Sequence, residues 1–222
     1  MKLFDNILEL VEITLFGQSN RVLFDNLNFS LPEGKTAIIS GPTGSGKSQL
    51  VRLIIGDLAP DSGSVFVFGN YVKFNQPYRL PRIRRKIGGV GGAFNLVANL
   101  TVKENLMSPL ILNKKMASFQ HDKITQILNR FDLLAKSNER AGFLSQGEKN
   151  EVMLARAIIA DQPLLLIDEP LAGADPIISE KIKLLLIRLS TAGHSMLIFT
   201  TDPDKFGIPQ SLDFRIEKGK LV

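Results

Sequence analysis

The sequence predicts an α/β fold in which a mainly parallel β-sheet is flanked by helices. Three short, continuous apolar runs have the length expected of buried parallel strands, at positions 36–40, 164–167 and 195–200. Helical spacing of apolar residues occurs in segments that alternate with them, at positions 47–55, 147–160 and 181–189. Such an alternation is typical of a parallel sheet that is covered by helices on both faces.

Two further regions depart from this alternation. The first thirty or so residues alternate apolar and polar positions between turn residues, which predicts antiparallel strands, and positions 62–70 predict another strand pair. Helical patterns at 102–112 and 121–134 interrupt the strands. We therefore expect one domain, 1–222, with a core and antiparallel β part at about 1–87 and 161–222, and a helical subdomain at about 88–160.

The composition excludes several classes of protein. With 44% apolar residues the chain can bury a large core, and the absence of cysteine excludes disulfides and thiolate metal sites. No apolar run approaches the ~18 residues of a membrane span, and Asp5 precedes any apolar core of a signal peptide. We expect a cytoplasmic chain that relies on another polypeptide for any membrane-spanning helices.

The net charge of +5 is concentrated in one segment. Positions 71–86 contain no acidic residue and six basic ones, which are Lys73, Arg79, Arg82, Arg84, Arg85 and Lys86. This segment is either a solvated face or a surface for an acidic partner, such as nucleic acid, a polyphosphate ligand or an anionic membrane.

A glycine-rich loop follows the strand predicted at 36–40. It matches the pattern G-x-x-x-x-G-K-[ST] with Gly41, Pro42, Thr43, Gly44, Ser45, Gly46, Lys47 and Ser48. Glycines allow the backbone N–H groups to point at phosphate oxygens, and the following helix adds its positive end. Lys47 is expected to reach the terminal phosphates, and the Ser48 hydroxyl is expected to bind Mg²⁺.

Two carboxylates follow the strand predicted at 164–167. Open α/β sheets bind ligands at the carboxyl ends of their strands, so Asp168 is a candidate Mg²⁺ ligand. Glu169 is a candidate base that polarises the attacking water. Paired acids after a strand also serve as helix N-caps, but the phosphate loop favours the catalytic interpretation.

A third motif, Leu144-Ser145-Gln146-Gly147-Glu148, precedes Asp168 by about twenty residues. In this order and spacing the motifs resemble ABC ATPases, whose signature is usually L-S-G-G-Q or L-S-G-G-E. The resemblance covers essentially the whole chain, because Ala155-Arg156-Ala157, Pro163 and Leu171-Ala172-Gly173-Ala174-Asp175-Pro176 are also similar to family segments. Positions 84–105 resemble the subgroup that contains FtsE, LolD and MacB.

This resemblance implies an ABC ATPase fold of the P-loop NTPase class, with ATP and Mg²⁺ as cofactors. It implies a homodimer or pseudo-dimer of ATPase domains, in which Ser145, Gln146, Gly147 and Glu148 contact the ATP that is held by the other chain. Within one chain, Lys47 and Glu169 would be catalytic, and Gln49 would join the phosphate loop in binding ATP. Phe16 is either the aromatic residue that stacks on adenine or a core residue at a strand end.

The family pattern also implies partners and a location. An integral membrane subunit of the permease type is expected, which places the chain on the inner face of the cell membrane. Nucleic acid is not an expected partner, because ABC proteins that bind it usually carry two ATPase domains in one chain or a long coiled coil.

Four positions depart from the family pattern. Gly92 stands where a glutamine usually links Mg²⁺ and the attacking water to the membrane subunit, with Asn95 as a partial substitute, and Thr201 replaces the histidine that contacts the γ-phosphate. Gln146 and Glu151 replace a glycine and an arginine of the signature helix. We therefore expect an ATPase that is slow or partner-dependent and drives or gates a membrane partner in transport or envelope remodelling. The alternative is an ATP-binding regulatory module with little or no turnover.

One of these departures, Gly92, belongs to a group of four glycines at positions 88, 89, 91 and 92. Because each glycine costs backbone entropy to fix, we expect a loose passage from strand to loop here.

Overall fold

The computed structural model describes residues 6–17, 21–113 and 117–222. In these ranges the strands are β1 (Asn6–Phe16), β2 (Val22–Pro32), β3 (Thr36–Ser40), β4 (Ser62–Val67), β5 (Asn70–Tyr71), β6 (Ile87–Val90), β7 (Leu164–Asp168), β8 (Ser195–Thr200), β9 (Leu212–Glu217) and β10 (Lys220–Leu221). The α-helices are α1 (Lys47–Ile54), α2 (Leu80–Arg84), α3 (Val102–Leu112), α4 (Ala117–Arg130), α5 (Gln146–Ile158) and α6 (Pro176–Thr191).

A six-stranded sheet forms the centre of the fold, in the order β10-β9-β3-β8-β7-β6. All neighbouring strands from β9 to β6 are parallel, and β10 is antiparallel at the edge. Every residue of β3, β7 and β8 is buried, as expected for strands that are covered on both faces. The predicted α/β fold is confirmed, and the carboxyl ends of β3, β7 and β8 lie side by side.

A second sheet is antiparallel, with the order β2-β1-β4-β5, and it packs over helix α1. One buried cluster joins this sheet, α1 and one face of the six-stranded sheet, and it includes Phe24, Leu50 and Phe199. Because α1 is packed between two sheets, the position at which it begins is fixed by tertiary contacts. The antiparallel strands predicted near the N-terminus are confirmed.

Helices cover the other face of the six-stranded sheet. A second buried cluster joins side chains of α3, α4, α5 and α6 to residues of that face, such as Ile167 and Ile198. Helices α3 to α5 lie between β6 and β7 in the chain. Strand β6 ends at Val90 and belongs to the six-stranded sheet. The sheet therefore extends past residue 87, the predicted boundary between the core and the helical subdomain. The division into a core and a helical subdomain stays a prediction.

The glycines of β6 are tightly packed. A Cβ atom on Gly88 would lie 2.2 Å from the carbonyl oxygen of Ala157, and one on Gly89 would lie 2.0 Å from the ring of Phe94. The expectation of a loose passage is therefore wrong for these two glycines, because helix α5 and Phe94 occupy the space that a side chain would need.

Several elements differ from the sequence-based expectations. Helix α6 begins at Pro176, five residues before the predicted start at 181, because the Asp175 side chain caps it by accepting from the N–H groups of Ile177 and Ile178 at 2.9 Å each. Helix α2 and strands β6, β9 and β10 were not predicted. No helix in the described part of the chain is both long and apolar enough to span a bilayer.

Candidate functional site

The glycine-rich loop connects β3 to α1 and depends on its glycines for its shape. Gly44 and Gly46 have φ angles of 80° and 103°, in the left-handed region that favours glycine. A Cβ atom on Gly46 would lie 2.5 Å from the Phe24 ring, so the loop also packs closely on β2. No side chain caps the start of α1. The first N–H groups of this helix can therefore be satisfied by an anionic ligand.

Lys47 lies at the first position of α1 and its side chain folds back over the loop. Its Nζ donates to the carbonyl oxygens of Gly41 at 2.6 Å and Pro42 at 3.2 Å, and the side chain is 7% exposed. The same ammonium group lies 3.9 Å from Oε1 of Glu169. This position places a buried positive charge between the loop and the end of β7.

Asp168, the last residue of β7, faces Ser48. The Ser48 hydroxyl donates to Oδ2 of Asp168 at 3.2 Å. Burial raises the pKa of the Asp168 carboxyl group above its ordinary value, and the hydrogen bond from Ser48 and the charge of Lys47 oppose this shift. A hydroxyl and a carboxylate in contact are oxygen ligands that Mg²⁺ accepts, and the ion normally completes its shell with phosphate oxygens and water.

Ser48 and Asp168 are the two candidate metal ligands that the described residues bring into contact. In residues 6–17, 21–113 and 117–222, no three His, Cys, Asp or Glu side chains come together as a metal cluster. The donor set therefore fits Mg²⁺ that is bound together with a phosphate ligand, and it does not fit a metal held by protein groups alone.

Glu169 follows Asp168 and has a strained backbone. Its φ angle is 48°, and its N–H donates to the carbonyl oxygen of Phe199 at 2.9 Å. The Thr200 hydroxyl donates to Oε2 at 3.4 Å. The other oxygen, Oε1, is buried and accepts no hydrogen bond from the described residues. A buried carboxylate oxygen with free acceptor capacity can bind a water molecule.

A cavity of about 540 Å³ joins these groups. The residues that line it are Leu23, Thr43, Gly44, Gly46, Lys47, Ser48, Gln49, Gly92, Asp168, Glu169 and Thr201. The structure thus brings most of the phosphate loop, both carboxylates and two of the four departing positions, Gly92 and Thr201, to one site. The predicted loop residues Gly41, Pro42 and Ser45 do not line it. Leu23 was missed by sequence reasoning, because only the packing of β2 beside the loop places it there.

Gly92 lies so close to Asp168 that any other residue type at this position would require the neighbouring atoms to shift. Its φ angle is 50°, and a Cβ atom on it would lie 2.5 Å from Oδ2 of Asp168. At the preceding position, a Cβ atom on Gly91 would lie 2.0 Å from the carbonyl oxygen of Asp168. The glycines therefore allow this segment to lie against the end of β7.

The predicted signature residues lie at the start of α5. Ser145 caps this helix by accepting from the N–H of Glu148 at 3.3 Å, and the Glu148 side chain accepts from the N–H of Ser145 at 2.9 Å. Glu148 also pairs with Lys136, and the hydrogen bonds from Lys136 and Ser145 lower the pKa of the Glu148 carboxyl group. None of the four signature residues lines the cavity of its own chain.

A hydrogen-bonded link connects α5 to the segment after Glu169. Gln146 donates to Oδ1 of Asn150 at 3.1 Å, and Nδ2 of Asn150 donates to the carbonyl oxygens of Pro170 at 3.0 Å and Ala172 at 3.1 Å. Asn150 is 3% exposed. The beginning of α5 and the segment that follows β7 are therefore held together by one buried side chain.

A protein-family model described as ABC transporter matches residues 24–172, which include the phosphate loop, the signature residues and both carboxylates. The chain belongs to the ABC transporter family. As the resemblance to the FtsE subgroup suggested, the cell division ATP-binding protein FtsE of Mycobacterium tuberculosis is among its relatives, with 32% identity over 93% of this chain and 90% of its own length. The ABC ATPase fold predicted from the sequence is confirmed.

This chain spans only part of the length of another relative. The methionine import ATP-binding protein MetN of Mannheimia succiniciproducens is 34% identical over 89% of this chain, which spans 58% of that protein. Among solved structures, the ATP-binding cassette MJ0796, in a dimeric post-hydrolysis state bound to ADP and Pi, has a TM-score of 0.86. It is 28% identical and is covered over 96% of both chains.

Phe16 and Asn95, for which the family resemblance also suggested roles, lie outside the cavity. Phe16 is at the end of β1 and is 41% exposed, and its N–H donates to Oδ2 of Asp61 at 2.8 Å. Asn95 is exposed, and its carbonyl oxygen accepts from Arg156 at 3.0 Å. Neither side chain lines the cavity, so adenine stacking on Phe16 stays a prediction, and nothing in the cavity supports a role for Asn95 as a substitute for glutamine.

Glu151, which replaces an arginine of the family pattern, has its own partner. It is 5% exposed, and its Oε1 lies 2.9 Å from Nζ of Lys181 on α6. Burial disfavours the charged form of Lys181 and so acts to lower its pKa. Hydrogen bonds to Glu151 and Asp132 outweigh this effect, and the pKa of Lys181 is raised. This departure therefore joins α5 to α6, away from the phosphate loop.

Proposed function

We propose that this chain is the ATP-binding and ATP-hydrolysing subunit of a membrane complex. The observation that carries the proposal is the single cavity that contains the phosphate loop, Lys47, Ser48, Asp168 and Glu169. The loop and the start of α1 would bind the phosphates, and Lys47 would neutralise the charge on the terminal phosphate groups. Gln49 lines the cavity beside them and would join the ATP contacts.

The two carboxylates would have different roles. Ser48 and Asp168 would hold Mg²⁺, which supplies charge neutralisation to the phosphates when it is bound. Oε1 of Glu169, which has free acceptor capacity, would accept a hydrogen bond from the attacking water and take its proton. The Thr200 hydroxyl, which donates to Oε2 of Glu169, would hold this carboxylate in place.

The site would be completed by a second copy of the chain or a homologous cassette. Ser145, Gln146, Gly147 and Glu148 lie outside the cavity of their own chain, so they would reach ATP only across a dimer interface. The dimeric state of the similar cassette MJ0796, with ADP and Pi, supports this arrangement. ATP would hold the dimer closed, and hydrolysis would weaken it.

A membrane-embedded partner would receive this motion. The relatives named for methionine import and cell division support a role in transport or envelope remodelling, at the inner face of the cell membrane. The substrate would be determined by the membrane partner, which is of the permease type.

Turnover of ATP by the chain with its membrane partner tests the enzymatic proposal. Glu169→Gln should lower Mg²⁺-dependent hydrolysis by ~10²-fold or more while ATP still binds, because only the base is lost. The exposed Glu217→Gln change on β9 is the matched control and should leave turnover unchanged. Equal turnover in both variants, or no Mg²⁺-dependent turnover in the assembled complex, would exclude this role.

Mixed dimers test the shared site. Lys47→Ala and Ser145→Arg should each inactivate a homodimer, but a heterodimer of the two variants contains one intact site. Mixing them should therefore recover turnover, whereas mixing two preparations of Lys47→Ala should not. Failure of the mixture to recover activity, with both variants folded and dimeric, would contradict sharing of the site.

The alternative function is an ATP-binding module with little turnover, favoured by Gly92 and Thr201 at the cavity. A glutamine at position 92 cannot be restored cleanly, because its Cβ atom would clash with Asp168. Thr201→His is the better test, since one additional polar contact to the γ-phosphate can change the rate by ~10²-fold. A large increase in turnover from a very slow wild type would favour the module, and a wild type that already matches Thr201→His would exclude it.

A further inference from the structure

A large groove in the described structure lies away from the cavity at the phosphate loop and is strongly basic. Its volume is about 850 Å³, and it is formed by the β4–β5 turn, α2 with the turn before it, and the end of α3. Five cations line it, which are Lys73, Arg79, Arg82, Arg85 and Lys86. No acidic residue does, so the groove carries as many positive charges as the net charge of the whole chain.

These cations are not neutralised by the described part of the protein. Arg84, in the same segment, lies 3.9 Å from Asp57, but none of the five groove cations forms an ion pair with a described residue. Arg79 lies 5.7 Å from the ring of Tyr78 and Lys86 lies 5.4 Å from the ring of Phe68, which orients both charges without cancelling them. Like charges held this close together favour an anionic ligand.

Exposed apolar and aromatic side chains accompany the charges. Tyr71, Tyr78 and Leu112 line the same groove and are 46%, 70% and 51% exposed. Tyrosine is enriched where proteins meet the headgroups of a bilayer, and clusters of 4–8 basic residues bind anionic lipids. An aliphatic residue such as Leu112 suits the boundary between headgroups and acyl chains, whereas nucleic acid bases stack on aromatic faces.

We propose that this groove binds the phosphate-bearing headgroups of anionic phospholipids and so attaches the chain directly to the membrane surface. The attachment goes beyond the proposed ATPase and does not require ATP. It would orient the chain on the bilayer and add to the contacts with a membrane-embedded partner.

Flotation of the full chain with vesicles, without nucleotide, tests the proposal. We expect binding to vesicles of phosphatidylcholine and phosphatidylglycerol in equal parts and little binding to phosphatidylcholine alone. The triple change Arg79→Gln, Arg82→Gln and Arg85→Gln should weaken binding on the order of 100-fold, since each basic residue near an anionic surface contributes roughly a factor of five. Binding that is the same for both vesicles would overturn the proposal.

The matched control removes three charges at the opposite edge of the six-stranded sheet. Arg215, Lys218 and Lys220 are exposed on β9, β10 and the turn between them. Their change to glutamine gives the same net charge as the groove variant and should weaken binding far less. If both triple variants lose equal binding, net charge alone attracts the membrane and the groove is not a site.

Competition distinguishes lipid from other anions. Inorganic phosphate and a short single-stranded DNA should displace the vesicles poorly. If the DNA displaces the protein from vesicles at a lower concentration than competing lipid does, and the groove variant no longer binds the DNA, the groove is a nucleic-acid surface and the proposal is wrong. ATP binding by the groove variant should match wild type, so a failure to bind vesicles would leave the proposed ATPase function standing.

Discussion

The backbone of Gly92 lies against the carboxylate of Asp168, so closely that a Cβ atom would be 2.5 Å from Oδ2. One of the four positions that depart from the family pattern is thus in direct contact with the residue that we expect to hold Mg²⁺. The absence of a side chain at Gly92 is a packing requirement of this chain as well as the loss of a polar group.

Replacement of Gly92 by alanine should therefore destabilise the protein and disturb the metal site. Gly207→Ala is a matched control, because Gly207 has a similar φ angle, 56° against 50°, and open space around the position of a Cβ atom. The control should cost about 1–2 kcal/mol of unfolding free energy. Gly92→Ala should cost about 1 kcal/mol more and weaken Mg²⁺-dependent ATP binding. Urea unfolding and nucleotide titration measure both, and equal costs with unchanged ATP binding would contradict the contact.

Asp168 should make the protein less stable in the absence of a ligand. Because burial raises its pKa, the folded chain retains this proton at pH values where the unfolded chain has released it, so stability falls as pH rises between the two pKa values. Asp168→Asn should therefore raise the melting temperature at neutral pH, and its advantage should shrink as pH falls. The exposed Asp204→Asn change should show no such pattern. An advantage for Asp168→Asn that is independent of pH would contradict the role of burial.

Asn150 should be sensitive to a change that preserves its shape. Its Nδ2 donates to two carbonyl oxygens, so Asn150→Asp would place a carboxylate oxygen against two acceptors in a buried site. We expect a loss of about 3 kcal/mol of unfolding free energy, since a buried charge is left beside unpaired carbonyls. Lys149→Met, on the same helix, is the control and should cost less than about 0.5 kcal/mol. Similar losses in the two variants would show that the link to Pro170 and Ala172 contributes little.

Removing one partner of the ion pair between Glu151 and Lys181 should lower the free energy of unfolding more than removing both partners. Lys181→Met leaves a buried carboxylate without its cation and should cost on the order of 2 kcal/mol, a value that allows for the partial exposure of Lys181. The double change with Glu151→Met should recover most of this loss. Lys183→Met breaks the pair of Lys183 with the exposed Glu180 and should cost less than about 1 kcal/mol. If the double variant is the least stable of the four proteins, the pair is a net source of stability.

The sequence predicts those parts of the site that depend on a continuous run of residues. The phosphate loop lies between β3 and α1, and Asp168 ends β7, because a strand, a glycine-rich turn and a helix start each have a local pattern. Leu23 beside the loop could not be predicted in this way. Its place depends on how the antiparallel sheet packs over α1, which no local pattern contains.

Strand β6 shows the same limit in the fold. Four residues with two glycines have too little apolar pattern to predict a strand, and Gly88 and Gly89 suggested a loose segment. Parallel pairing with β7 and the approach of α5 and Phe94 decide the outcome, and both come from distant parts of the chain. The predicted start of helix α6, at 181, is five residues too late because the pattern of apolar residues does not include the cap at Asp175.

Strand β3 is hydrogen-bonded along both edges, to β8 and to β9. The residue from which the phosphate loop departs therefore cannot shift without breaking two ladders, and α1 beyond the loop is clamped between two sheets. A change of ligand in the cavity would therefore have to be accommodated by residues other than the start of the loop. The start of the loop is therefore the fixed reference point of the cavity, against which Gly92 and Thr201 are positioned.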